Sequence, residues 1–182
     1  MAMKQFVPQN VCLSCDGCCR FKEQDSTWRP QMTKEEIDQG AKSKLADLIL
    51  SKDSIEHNGY IKTVSCQGQH LCSFFNPEHN TCRIYSHRPF ECQLYPFVLT
   101  KHNGQATVCV HLSCPHIQQT RSTPEFKEYA AYLKKYFKQA SVRDFLKRNP
   151  SLIGDYSAYS NELEYLFTLS LSLDDLMSSK SN

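Results

Sequence analysis

The chain has 182 residues, 40% of them hydrophobic, and a formal net charge of +2. That length and apolar content fit a folded chain with its own core and argue against wholesale disorder. The near-balanced charge, without a basic block, gives no reason to expect nucleic acid or an anionic membrane as partner, and no apolar run approaches the ~20 residues needed to cross a bilayer.

In chain order, the first ten residues hold one lysine, Lys4, and no apolar stretch, so they do not read as a secretory signal. The expected location is therefore the reducing cytoplasm. Residues 1–32 show no helical period and read as loop and turn. Residues 33–52 read as helix: Thr33 and Glu36 form a T-x-x-E capping box, and Ile37, Ala41, Leu45, Leu48 and Ile49 follow at helical spacing. Residues 58–114 read as short strands and tight loops. Asn58-Gly59 marks a turn before an alternating Tyr60–Val64 stretch, and Asn103-Gly104 between two β-prone runs signals a hairpin.

Residues 123–148 read as helix again. Pro124 sits in the first turn, and Phe126, Ala130, Leu133, Phe137 and Ala140 form one apolar face. A second short helix there turns Val142, Phe145 and Leu146 inward and ends at Asn149-Pro150. The pattern of Glu162–Leu173 fits helix and strand equally, and residues 178–182 read as a disordered tail. The expected fold class is α+β, a single domain over 1–182. It has a small cysteine-rich β/loop metal-binding core at about 12–116, flanked by the helices 33–52 and 123–148, and a helical C-terminal region over 123–177.

Ten cysteines stand out, four at 12–19 and six at 66–114. In a reducing compartment such a density points to metal ligands or catalysis more than to disulfides. Thiolates are soft anionic ligands that suit zinc and iron–sulfur clusters. Two cysteines separated by two residues can wrap one metal, and here two such steps run in series, Cys12-x2-Cys15-x2-Cys18, with Cys19 following directly. The run is similar to that of bacterial ferredoxins, where a remote cysteine followed by proline completes a cluster; Cys114-Pro115 matches that feature. One arrangement places Cys12, Cys15, Cys18 and Cys114 on one centre and Cys19, Cys72, Cys82 and Cys92 on a second. Neighbouring side chains on extended backbone point apart, which favours Cys18 and Cys19 facing different groups. A kinked backbone at Gly17-Cys18 brings both onto one metal instead.

The residues C-x-x-C-x-x-C-C at 12–19, then Cys72 and Cys82, Ile84-Tyr85, Arg88-Pro89, Cys92, Tyr95-Pro96-Phe97 and Cys114-Pro115 resemble a bacterial cysteine-cluster (CxxCxxCC) family. Its members are described as zinc- or iron-chelating, and a related domain occurs in flagellin lysine N-methylase. The resemblance implies eight metal-ligating cysteines: Cys12, Cys15, Cys18, Cys19, Cys72, Cys82, Cys92 and Cys114. Cys66 and Cys109 fall outside the pattern and read as buried apolar residues. The chain is too short to contain a methylase of ordinary length, and no G-x-G-x-x-G loop follows a strand.

Arg88 beside such a cluster offers either charge compensation or an anion contact; a surface salt bridge explains it equally well. His70, His79, His87, His111 and His116 lie near the cysteines in sequence and could replace a sulfur, although a solvated or structural histidine is the commoner case. No H-E-x-x-H motif or Ser-His-Asp set supports hydrolase chemistry, and whether the chain is an enzyme stays open. Two readings follow. The first is an iron–sulfur protein with a redox or cluster-dependent role. The second is a structural zinc protein acting as an interaction module. Both have a metal ion or cluster as the partner, and neither identifies a protein partner.

Overall fold

The computed structural model describes residues 3–15 and 17–172. The chain divides into two compact units, Val7–Gln93 and Met1–Phe6 with Leu94–Asn182. The division falls inside the 12–116 stretch that carries the cysteine pattern. The architecture is α+β, with helices and, among the described residues, three small antiparallel sheets.

The Val7–Gln93 unit opens with helix α1 (Gln9–Ser14), which carries Cys12. A loop is expected there. One turn forms because Pro8 presets the entry and its carbonyl accepts the Cys12 N–H at 2.9 Å. Strand β1 (Arg20–Phe21) follows. The expected helix over 33–52 is two short ones, α2 (Lys34–Gly40) and α3 (Ala46–Ile49). The Thr33–Glu36 capping box is formed at the start of α2. The break has a local cause: Ser43 Oγ donates to the Gly40 carbonyl at 2.7 Å and accepts the Leu45 N–H at 3.0 Å, which competes with helix continuation. Gly40 also lets the two helices close on each other, because a Cβ there would lie 2.4 Å from Ile49 Cδ1.

Strands β2 (Thr63–Cys66) and β3 (Gln69–Cys72) form a hairpin whose two turn residues, Gln67 and Gly68, have positive φ of 50° and 78°. These are the values a two-residue turn needs to match strand twist. The sheet order is β1-β3-β2. The strand expected to begin at Tyr60 begins at Thr63 instead; Tyr60 and Ile61 make isolated bridges to Gln31 and Ile55. A second pair, β4 (Phe75–Asn76) and β5 (Thr81–Cys82), lies just downstream. Phe21, Met32, Ile49, Ile61, Leu71, Phe74, Phe75 and Ile84 build the core, with Cys19, Cys66, Cys72 and Cys82 packed into it. Each large side chain so buried contributes about 1.5–3 kcal/mol of transfer free energy. Helix α4 (Phe90–Leu94) runs through the end of the unit at Gln93.

In the other unit, β6 (Phe97–His102) and β7 (Gln105–His111) form the hairpin expected at Asn103-Gly104, with φ of 49° and 73° at the two turn residues. Helices α5 (Pro115–Thr120), α6 (Pro124–Tyr136) and α7 (Ala140–Arg148) follow. Phe126, Leu133 and Phe137 are buried as their spacing implies, and so are Tyr129 and Tyr136. Ala130 is half-buried and Ala140 exposed, the latter because it opens α7. Val142, Phe145 and Leu146 face inward.

The ambiguous segment Glu162–Leu173 is strand β8 (Leu163–Ser172), antiparallel to β7. Phe167, Leu169 and Leu171 are buried at the two-residue period. Pairing with β7 decides a segment whose own pattern does not. The first residues are not free either. The Lys4 N–H donates to Tyr132 Oη at 2.8 Å, Tyr129 Oη donates to the Lys4 carbonyl at 2.5 Å, and the Phe6 ring lies 5.0 Å from that of Tyr129. No helix among the described residues is long and apolar enough to cross a membrane. The tail at 178–182 lies outside the described residues.

Candidate metal centre

All ten cysteines are free thiols. Seven of the eight expected ligands belong to the Val7–Gln93 unit, and short elements hold each in place. Cys12 is in the last turn of α1, and Cys15 is its C-cap, accepting the Gly17 N–H on its sulfur at 3.4 Å. The turn through Gly17 ends as the Arg20 N–H donates to the Gly17 carbonyl, and it delivers Cys18 and Cys19 to the start of β1. The Cys72 N–H donates to the Cys19 carbonyl at 2.9 Å, so sheet pairing sets those two residues side by side. Cys82 is in β5, opposite Phe75, and Cys92 is in α4.

The sulfurs influence one another across these elements. The neighbouring Cys19 side chain pushes the Cys18 thiol well above the usual thiol range. Cys18 lowers Cys19 in turn, but burial and the nearby Cys72, Cys92 and Cys82 outweigh it and leave it raised. Burial pushes Cys72 up to about 12, aided by Cys82 and Cys18, while backbone N–H donors from Phe74 and Phe75 act the other way. Cys82 is raised by burial, opposed by the Ile84 N–H and by Arg88. Cys92 stands well above the usual range through burial and its neighbours Cys72, Cys18 and Cys82. Cys12 is raised by burial and Cys18, with Arg88 opposing.

The backbone turns at Gly17–Cys19 instead of running extended, so neighbouring Cys18 and Cys19 side chains lie close enough to shift one another. Among the described residues, no three His, Cys, Asp or Glu side chains are drawn together at metal-coordinating spacing. The donor set still fits a thiophilic metal in kind. In the Val7–Gln93 unit it consists of a buried Cys72, half-buried Cys12, Cys15, Cys19, Cys82 and Cys92 and an exposed Cys18, with N–H donors near several sulfurs, a surrounding that favours thiolates once a cation is present.

Cys114 belongs to the other unit, where it is buried at the N-cap of α5. Cys109 lies in β7, and burial alone raises it to about 11; no other thiol contributes. Cys66 ends β2, opposite Gln69. Of the histidines, His70 faces Ser65, His87 faces Ser86, and His111 lies between Tyr95 and Glu162.

The sequence alone did not expose a clasp that positions Cys92. Glu36, recognised only as a cap, also accepts the Phe90 N–H at 2.6 Å, which ties α2 to the first residue of α4. Glu91 reaches back and accepts the Gln31 N–H at 2.5 Å. Two half-buried carboxyl groups therefore brace the helix carrying Cys92. Burial raises Glu91 to about 8, with Glu36 adding to it. The folded state then holds a proton that the unfolded chain releases near 4.5, so stability falls as pH rises from about 4.5 through 8. In reduced, metal-free protein, this loss should reach a few kcal/mol. Glu91→Gln keeps an acceptor for Gln31 and cannot ionise, so its urea midpoint should change much less between pH 5 and pH 8. Parallel pH profiles for wild type and variant would count against this role.

A set of soft sulfur donors on an α+β frame is the kind of site that suits a thiophilic metal. Residues 11–115, more than half of the chain, match the CxxCxxCC family, described as a putative zinc- or iron-chelating domain, and the chain belongs to that family. Neither the curated proteins nor the solved structures include a match.

Proposed function

We propose that Cys12, Cys15, Cys18, Cys19, Cys72, Cys82 and Cys92, with Cys114 as eighth ligand, hold an iron–sulfur centre in a cytoplasmic protein with a redox or cluster-dependent role. The observation that carries the reading is the strand pairing that sets Cys72 beside Cys19, its N–H donating to the Cys19 carbonyl at 2.9 Å, with Cys12, Cys18, Cys82 and Cys92 near enough to shift one another's thiols. Residues far apart in sequence thus contribute to one thiol neighbourhood. The ferredoxin-like spacing and Cys114-Pro115 favour iron–sulfur over a bare ion. Cys114 enters through the family pattern alone. A bound cluster would supply one-electron chemistry; the chain's part is to provide thiolates, donate N–H groups to sulfur and limit water.

The second reading, structural zinc in an interaction module, is favoured by the even number of ligand cysteines, which two four-sulfur zinc sites would use fully. Purification without oxygen separates the two. An iron–sulfur protein is brown, absorbs near 400 nm (roughly where sulfide-to-iron charge transfer lies) and contains iron and acid-labile sulfide. Colourless protein with stoichiometric zinc would establish the second reading and overturn the first.

A further inference from the structure

We propose that Arg88 is a built-in counter-cation of the thiol cluster and determines how tightly the cluster holds its metal. This rests on the reading of the cysteines as ligands and assigns a positioning residue beside them. Arg88 is only 8% exposed. Its Nε donates to the Tyr85 carbonyl at 3.2 Å, and its guanidinium carbon lies 3.6 Å from the centre of the Tyr85 ring. Nη1 donates to Cys12 Sγ at 3.5 Å. The backbone is pinned as well, since Gln93 Nε2 donates to the Arg88 carbonyl at 2.7 Å.

Two further observations separate this arginine from an ordinary surface cation. Nη2 is buried and, among the described residues, has no hydrogen-bond partner. Among the described residues, no carboxylate forms an ion pair with Arg88, whereas Arg29 has Asp25 and Glu56. An unpaired buried charge costs several kcal/mol, so one retained in a folded protein needs an anionic neighbour. The groups it faces that can carry negative charge are the Cys12 sulfur, which accepts from Nη1, the nearby Cys18 and Cys82 sulfurs, and the Tyr85 phenol. Four thiolates around a divalent ion leave two negative charges buried in the site. A guanidinium that is always charged offsets one of them, and its spare Nη2–H is free to meet a second thiolate sulfur. Lysine would keep the charge but lose the fork and the flat stacking on Tyr85.

The test uses the full chain, reduced and without oxygen, with zinc as the probe and a chromophoric chelator as competitor. Arg88→Met and Arg88→Gln should weaken zinc binding about 10–100-fold, the range for residues supporting metal ligands. Arg88→Lys should recover part of that loss, and far-ultraviolet circular dichroism of the zinc-loaded variants should match wild type. Binding of Arg88→Met within about twofold of wild type overturns the proposal. So does an Arg88→Lys variant as weak as Arg88→Met, since the role would then be packing on Tyr85. If Arg88→Met does not fold, Arg88→Gln and Arg88→Lys make the same comparison. Wild-type protein that binds neither zinc nor iron overturns the ligand assignment itself, an outcome distinct from equal binding by wild type and variants.

Discussion

Removing the metal from the reduced protein should lower its thermal midpoint by more than ~10 °C. Ligand thiols must lose their protons to bind, and the unfolded chain has no assembled site, so binding free energy acts as folding free energy. Structural zinc in small domains contributes about 10–16 kcal/mol on that account, and one kcal/mol moves the midpoint about 2–4 °C for a chain of this size. The Val7–Gln93 unit has reason to depend on it. Its helices span 4–7 residues and three of its strands are only two residues long. Without a cation, burial and mutual repulsion raise Cys12, Cys19, Cys72, Cys82 and Cys92. Calorimetry of matched holo and chelated samples reads the effect directly. Equal midpoints would show that the metal does not support the fold.

Substituting ligands and bystanders should separate two classes of cysteine. Cys15→Ser and Cys82→Ser should lose most of the bound metal. Cys66→Ser and Cys109→Ser should retain nearly all of it. Cys82 sits among the thiols with an N–H donor from Ile84 on its sulfur, and the Cys15 sulfur is held in the turn by Gly17. Cys109 is buried in β7 without a thiol neighbour that shifts it, and Cys66 lies at a hairpin end. Serine keeps the size but is a poor ligand for a soft metal. Metal analysis of the four purified variants decides the matter, and equal loss in all four would mean that the ligand set is wrongly drawn.

Local signals carried the elements whose cause is local. Asn103-Gly104 was readable because a two-residue hairpin turn demands positive φ at both positions, and these residues tolerate it. Thr33 and Glu36 were readable because a capping box closes within one turn. Where partners are distant, such reading stopped. Helical spacing through Leu45 did not reveal that Ser43 would interrupt the helix. Glu162–Leu173 needed β7 beside it to become a strand, and the loop at residues 3–6 needed Tyr129 and Tyr132 to hold it in place.

The same division runs through the site. Spacing and residue type by themselves determined that this is a thiol-rich chain suited to zinc or iron, because ligand softness is a property of the side chain and a C-x2-C step closes on itself. Only the tertiary structure decided which cysteines lie side by side, since Cys19 is set beside Cys72 by strand pairing across more than 50 residues. It also decided that Arg88 is buried against Cys12 and that Glu36 and Glu91 brace the helix of Cys92. Burial and charge at a point depend on everything packed around it, and no single stretch of sequence contains that information.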